Sequence, residues 1–313
     1  MTNSFSVCME AILPVFLLMA VGYAAKRLGI IKEETIPAMN TVAFKTFLPV
    51  MSFFNIYNSD PSSSLQPRLM VFSAVMIVVV FSLSVLFARF FVRDPRKLGV
   101  VIQGLFRSNY LAVGLPVASM LVPDGDAGVI SVLTAVTVPI FNILAIIVLD
   151  YYSGEKINAG KLLRDCLKNP LIIACGLGIL SMLLKFRFPS PIETTLRDMS
   201  RVGSPLMLFL LGAFFRFDKI GPNARELTAV LLGRLIVIPA AVLPVAILLG
   251  FRGIELATIL VLSGAATAVA SFTMAQQMGG DASLAGNIVV FTSIGCTFTL
   301  FFWSMLLMTY GLL

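Results

Sequence analysis

Long apolar stretches alternate with short polar ones along the whole chain. A helix needs about 20 mostly apolar residues to cross the hydrocarbon core of a bilayer. The pattern predicts ten such helices, near residues 5–26, 36–58, 68–91, 98–122, 127–150, 169–187, 193–215, 226–250, 254–278 and 284–311. No polar block between them is long enough to form a separate soluble domain. The predicted fold class is therefore an all-α integral membrane protein with ten transmembrane helices.

The composition supports a membrane protein and excludes several kinds of site. Of the 313 residues, 58% are hydrophobic and 12% are charged, whereas a soluble domain carries about 25% charged residues. The chain has no histidine, which excludes imidazole metal sites and Ser-His-Asp triads. Its four cysteines form no CxxC pair and are interpreted as small buried hydrophobes. We therefore expect no enzyme activity, no metal and no cofactor.

The loops between the predicted helices differ in positive charge. Those after odd-numbered helices hold Lys26, Arg27, Lys32, Arg89, Arg93, Arg96, Lys97, Lys156, Lys161, Arg164, Lys168, Arg216, Lys219 and Arg225, and the others hold Arg68, Lys185, Arg187 and Arg252. Positive loops stay in the cytoplasm. This bias predicts a multi-pass protein of the plasma (inner) membrane, with both termini outside and the 151–168 loop cytoplasmic. It also explains the basic pI of about 9.4 without a nucleic-acid partner.

Several motifs recur in helix order in the two halves of the chain. They are Pro14 with Gly22 and Pro170 with Gly178, then Pro49 and Pro205, all at an offset of 156 residues, and the stretches SNYLA at 108–112 and SFTMA at 271–275 at an offset of 163. A five-helix unit used twice must enter the membrane from opposite sides, which gives an inverted repeat. The predicted halves are residues 1–155 and 156–313. Chance matching of common membrane residues is the alternative.

Polar residues interrupt the fourth and ninth predicted helices near their centres. The fourth carries Gln103, Arg107, Ser108, Asn109 and Tyr110, then Gly114 and Pro116, and the ninth carries Ser263, Gly264, Thr267, Ser271 and Thr273. Paired interruptions at equivalent positions indicate the substrate site of a transporter. Helix N-termini at such breaks favour an anion, with Asn109 adding an amide and Ser52 and Ser271 adding hydroxyls. For Ser263, Gly264 and Thr267, close helix packing is an equal alternative.

Charged residues inside predicted helices are functional candidates by default. Arg107 adjoins the proposed break and could attract a carboxylate. Lys45 lies one turn before Pro49 in the second helix, and its long stem could instead reach the membrane surface. Asp198 is the leading acid for coupling to a proton or cation, although pairing with Arg201 three residues later is the plainer interpretation.

Three stretches, MNTVAFKTFLPVMSFF, RSNYLAVGLP and AVASFTMAQQMGGD, resemble the auxin efflux carrier family, which includes plant PIN carriers and many bacterial permeases. The resemblance covers essentially the whole chain. It implies an inverted-repeat fold related to bile-acid symporters and sodium/proton antiporters, with crossed, broken helices 4 and 9 beside the substrate site. It also implies alternating access by an elevator-like motion and organic-anion substrates such as auxin, malate or malonate.

The resemblance also assigns residues. It matches Asn109 to the asparagine that contacts the auxin carboxylate, Ser52 to the serine after the second-helix proline, and Asn40 to the asparagine early in that helix. Gly114 and Pro116 match the glycine and proline after the first crossover. PIN carriers have proline at both crossovers, where this chain has Ser108 and Ser271. Their aspartate–lysine support pair is not evident, because the third helix holds no acid.

The sequence as a whole predicts a secondary transporter of a small organic anion, in which Asn109 holds a carboxylate and Ser52, Ser108, Ser271 and Arg107 line the same cavity. Gly114, Pro116, Gly264 and Thr267 would form the breaks. Coupling to H⁺ or Na⁺ stays open, with Asp198 and Lys45 as candidates, and a homodimer rests on family analogy alone. The alternatives are a cation-coupled antiporter of related fold and a non-transporting membrane sensor.

Overall fold

Helices form nearly all of the chain that the structure describes. This structure, a computed structural model, describes residues 2–59, 66–110, 121, 128–152, 168–216 and 220–313. Its α-helices are α1 (Thr2–Arg27), α2 (Thr35–Val42), α3 (Leu48–Tyr57), α4 (Pro67–Phe91), α5 (Pro95–Phe106), α6 (Gly128–Tyr151), α7 (Pro170–Leu183), α8 (Ser190–Phe214), α9 (Ala224–Leu232), α10 (Ile238–Leu248), α11 (Gly253–Gly264), α12 (Ala270–Gln277) and α13 (Ala282–Thr309). Among these residues the only strand-like pairing is one isolated bridge.

Two of the predicted helices contain a π-helical turn. Ala43–Phe47 joins α2 to α3, and Gly233–Val237 joins α9 to α10. A π-turn shifts the helix face that follows it, and such turns are frequent at functional sites. The first turn carries Lys45, which is exposed, and the second carries Arg234, which is buried.

Four of the described helices are long and apolar enough to cross a membrane. They cover Pro67–Phe91, Val132–Tyr151, Gly221–Leu248 and Ala282–Thr309. Large apolar side chains on their outer faces are exposed, including Val71, Leu83 and Phe87 on α4. A bilayer would cover such side chains, whereas water would not. The all-helical fold is therefore confirmed for the described residues and is consistent with a membrane protein, while the count of ten crossings and the two-half division near residue 155 stay predictions.

Glycines let two pairs of helices approach closely. A Cβ on Gly212 of α8 would overlap the Met19 carbonyl of α1, and a Cβ on Gly22 would overlap the Phe209 carbonyl of α8. In the same way, a Cβ on Gly178 of α7 would lie 3.0 Å from the Phe53 carbonyl oxygen of α3. Small residues at membrane helix contacts allow this backbone-to-backbone packing. Gly22 and Gly178, which the repeat analysis had aligned, therefore both lie at tight helix contacts.

Candidate functional site

The fourth and ninth predicted helices both stop being helical at the point where they cross. Helix α5 ends at Phe106 and α11 ends at Gly264, and each is followed by extended chain. Ser108 and Thr267 form an antiparallel bridge. The Asn109 N–H donates to the Ala266 carbonyl at 2.8 Å, and the Ala268 N–H donates to the Arg107 carbonyl at 3.2 Å. These two reciprocal hydrogen bonds thus replace helical hydrogen bonds that are absent where the two segments become extended.

The crossing pairs Ser108 with Thr267, not with Ser271. The motif match aligned Ser108 with Ser271 at an offset of 163 residues, whereas the bridge joins residues 159 apart; the repeat alignment stays a prediction. Ser271 lies in the first turn of α12, is buried, and its Oγ finds no hydrogen-bond partner within the described chain. Gly264 is the last residue of α11, and Thr267 lies in the extended stretch after it.

A buried arginine joins the ends of the two interrupted helices. Arg234, on the π-turn between α9 and α10, is 1% exposed. Its guanidinium donates to the carbonyls of Leu105 and Phe106 at the end of α5, at 3.1 and 3.4 Å. It also donates to the carbonyls of Leu262 and Ala265 at the end of α11, at 3.1 and 2.9 Å. These are last-turn carbonyls, which have few partners inside their own helix.

The charge of Arg234 fits the two helix ends that it contacts. A helix C-terminus carries the equivalent of about −0.5 elementary charge. Two such ends therefore offset about one positive charge, which is what one guanidinium supplies. Gly233 leaves room for Leu105, because a Cβ there would lie 2.6 Å from Leu105 Cδ2 and would force that side chain to shift. The helix ends at the crossing thus explain why a charged side chain can be buried at residue 234.

A cavity of about 220 Å³ lies against the crossing. Four of the predicted substrate-binding residues line it: Ser52, Arg107, Ser108 and Asn109. The side-chain amide of Asn109, which is half-buried, makes no hydrogen bond to any described residue. Its donor and acceptor atoms are therefore free to meet a ligand.

Most of the cavity lining outside the crossing is apolar. It is formed by Leu48, Met51, Val138, Phe141 and Met207, with Asn55 and Ser204 as the polar exceptions. The cavity thus offers polar groups and a cation together with hydrocarbon and an aromatic ring. This arrangement suits a ligand with a polar head and an apolar body, as in most small-molecule sites.

Arg107 is the cation among the described residues that line the cavity, and no described acid lines it. Arg107 is 5% exposed. Its Nη2 donates to Asn142 Oδ1 of α6 at 2.7 Å, and its Nη1 donates to the Met274 thioether of α12. Both partners are neutral, so its charge is not cancelled by a carboxylate within the described chain.

The chain matches, over residues 7–304, the profile of a family described as Membrane transport protein. It belongs to the auxin efflux carrier family. The resemblance drawn from the three sequence motifs is therefore confirmed. The crossing and its cavity occupy the part of the chain where two of those motifs meet.

Two relatives match this chain over nearly its whole length. This chain is 26% identical to the uncharacterized transporter MJ1031 of Methanocaldococcus jannaschii, across 96% of this chain and 99% of the relative. It is 24% identical to an uncharacterized transporter of Methanothermobacter thermautotrophicus, across 95% and 98%. The family and both relatives are described as transporters rather than enzymes. Because the family consists of membrane transport proteins, this chain is a membrane protein.

The two residues proposed for coupling lie away from the cavity. Lys45 is exposed on the first π-turn, and Asp198 is exposed on α8. Asp198 makes no ion pair with Arg201, so that expectation was wrong; the ion pair in this turn joins Arg197 to Glu193 at 2.8 Å.

Gly114 and Pro116 lie outside the described residues. Asn40 is buried in α2 and donates to the Thr273 carbonyl of α12 at 3.3 Å.

Sequence reasoning missed several residues of the site. Asn55 and Ser204 line the cavity. Asn55 is three residues after Ser52, on the same face of α3, and this spacing was a usable signal. Ser204 stands directly before Pro205 in the second of the aligned motifs. Asn142 and the role of Arg234 had no such signal, because both depend on contacts between distant helices.

Proposed function

We propose that this family member is a secondary transporter that carries a small organic anion, a carboxylate, by alternating access through the cavity at the crossing. The observation that carries the proposal is the cavity wall formed by Arg107, Ser108 and Asn109. It combines one cation without a carboxylate partner and one amide without a hydrogen-bond partner, both judged among the described residues. A cavity of about 220 Å³ is smaller than the roughly 300–1,000 Å³ of drug-sized sites, so the substrate is a small metabolite.

Each polar residue has a role in this proposal. Asn109 donates from its amide to one carboxylate oxygen, and Ser52 and Ser108 supply hydroxyl groups on either side. Arg107 supplies the positive potential that offsets the cost of moving a carboxylate out of water. Ala270, the first residue of α12, also lines the cavity, and the positive end of a helix dipole favours an anion there. Ser271 takes a packing role.

The two interrupted helices support an inverted repeat as the basis of transport. Helices α5 and α11 are both 12 residues long and both end at the crossing. The reciprocal hydrogen bonds relate Arg107 to Ala266 and Asn109 to Ala268 about the Ser108–Thr267 bridge. Two equivalent half-sites of opposite orientation are what alternating access between two sides of a membrane requires.

A cation-coupled antiporter fits this cavity less well. Such a carrier needs acidic groups that bind and release the cation at depth. Among the residues whose burial is described, no aspartate or glutamate is buried, whereas two arginines are. The potential at the crossing therefore favours an anion as the transported species.

The proposal is tested by counterflow exchange in liposomes. Purified protein is reconstituted without an ion gradient, the vesicles are loaded with unlabelled acid, and uptake of the same radiolabelled acid is followed across a panel of organic acids. We expect saturable exchange of at least one acid. Asn109→Ala should lower it by about 10- to 100-fold, since a lost hydrogen bond to a charged group costs about 1.5–3 kcal/mol.

The matched control is Asn58→Ala. Asn58 is exposed at the end of α3, so the same chemical change there leaves exchange intact. Normal exchange by folded Asn109→Ala protein would contradict the site. Absence of exchange for every acid by folded wild-type protein would contradict the function. Imposed H⁺ or Na⁺ gradients in the same vesicles then identify the coupling ion.

A further inference from the structure

The side chain that holds Arg107 is a buried amide where a carboxylate would ordinarily be expected. Asn142 of α6 is 2% exposed, and its Oδ1 lies 2.7 Å from Arg107 Nη2. Its orientation follows from chemistry, because a guanidinium has donors only and must face the amide oxygen. The amide nitrogen then faces the Cys175 thiol of α7 and donates to its Sγ at 3.4 Å.

A neutral partner has an electrostatic consequence for the cavity. Buried arginines are usually paired with carboxylates, because an unpaired buried charge costs several kcal/mol. Asn142 gives Arg107 a hydrogen bond of the same geometry without supplying a negative charge. Met274, the other described partner, is also neutral. Counted over the described residues, one net positive charge therefore faces the cavity before substrate enters.

Arg234 does not change this count. Its guanidinium donates only to backbone carbonyls in the described chain, and the two helix ends that it contacts offset its charge. Within the part of the chain that the structure describes, neither Arg107 nor Arg234 has a carboxylate partner, and of the two Arg107 alone lines the cavity. The cavity can thus neutralise one carboxylate and not two.

We propose that Asn142 sets the charge preference of the substrate site, so that the carrier takes organic anions with one carboxylate in preference to those with two. The substrate carboxylate completes the ion pair that Asn142 leaves open. A second carboxylate would meet no second cation among the described lining residues, only the neutral side chains of Asn55 and Ser204 and apolar groups such as Phe141. This inference rests on the proposed function and adds the class of anion to it.

The first test compares acids that differ only in their second carboxylate. Wild-type protein in liposomes is given butyrate against succinate, and hexanoate against adipate, at neutral pH. We expect each monocarboxylate to be exchanged with a KM on the order of 100-fold lower than its dicarboxylate partner, the factor set by one unpaired buried charge. This comparison needs no variant.

The second test separates charge from hydrogen bonding at residue 142. Asn142→Asp has the same shape and keeps the bond to Arg107, whereas Asn142→Ser is neutral but shortens the side chain. If Asn142 were only structural, aspartate would be tolerated better than serine. If it sets the charge, the order reverses: Asn142→Asp raises the KM on the order of 100-fold, and Asn142→Ser by less than about 10-fold.

Asn58→Asp is the control for net charge, since it adds the same charge at an exposed position on α3, and we expect no change in KM. The inference is supported if wild-type protein prefers monocarboxylates and the KM rises in the order wild type, Asn142→Ser, Asn142→Asp. Preference for dicarboxylates, or wild-type KM in folded Asn142→Asp protein, overturns it and leaves the proposed function standing. No exchange of any acid by folded wild-type protein overturns both. If Asn142→Asp does not fold, the wild-type comparison decides.

Discussion

Replacing Arg234 by methionine removes the charge that joins the two halves of the crossing and keeps a long apolar side chain in its place. Four carbonyls, two from α5 and two from α11, lose their donor. A hydrogen bond to a charged group contributes about 1.5–3 kcal/mol, but removing the arginine also removes the cost of burying its charge. Each buried carbonyl left without a donor costs about 1–3 kcal/mol, so four of them outweigh the relief of the buried charge. We expect the free energy of unfolding to fall by about 3 kcal/mol or more.

The single tryptophan of the chain provides the assay. Trp303 of α13 donates from Nε1 to the Leu235 carbonyl at 3.2 Å, directly beside Arg234. Its fluorescence therefore reports unfolding at the helix that carries the arginine. Wild-type and variant proteins are titrated with denaturing detergent in mixed micelles, and the free energies are compared. Arg234→Lys should lie between wild type and Arg234→Met, because an ammonium cannot reach all four carbonyls as a planar guanidinium does.

The matched control is Arg201→Met, which removes the same charge from an exposed position on α8. We expect it to change stability by less than about 0.5 kcal/mol, as at most surface positions. If Arg234→Met unfolded within about 1 kcal/mol of wild type while Arg201→Met behaved the same way, Arg234 would not be holding the crossing together.

Three further changes test the packing around the crossing and between the outer helices. Thr267→Val removes the hydroxyl that donates to the Gly104 carbonyl at 2.8 Å, and should lower stability in the fluorescence assay by about 1–3 kcal/mol. Tyr110→Phe removes the hydroxyl that bonds two threonines of α6, each at 2.8 Å, and should cost about 1–2 kcal/mol in the same assay. Gly212→Leu forces a Cβ into the Met19 carbonyl, and we expect the monodisperse fraction in size-exclusion chromatography to be lost.

The helices could be predicted from the sequence because a bilayer demands long apolar runs with satisfied backbones. The same demand marked the crossing, since polar residues at that depth need a special reason. The register of the crossing could not be predicted. Ser263, Thr267 and Ser271 recur every four residues along the predicted ninth helix, so the sequence offers a small polar residue at each predicted turn. Only the packed backbone shows that Thr267 meets Ser108.

Burial also separates charges that look alike in the sequence. Lys45 and Arg234 each follow apolar residues and each lie on a π-turn, yet Lys45 is exposed and Arg234 is buried. The difference comes from partners far along the chain. The carbonyls that Arg234 contacts lie 28 and 31 residues away in α11, and 128 and 129 residues away in α5. No local pattern carries that information.

The buried arginines Arg107 and Arg234 differ in their surroundings, and therefore in the role that each has at the crossing. Arg234 meets two helix ends whose dipoles offset about one positive charge, so it stabilises the crossing, and it does not line the cavity. Arg107 meets an amide and a thioether, which orient its guanidinium and leave its charge uncancelled. A site built to hold an anion for only part of a transport cycle needs such a charge, because a carboxylate of the protein in the place of Asn142 would compete with the substrate at every step. The neutrality of Asn142 is therefore as informative about the transported species as the charge of Arg107.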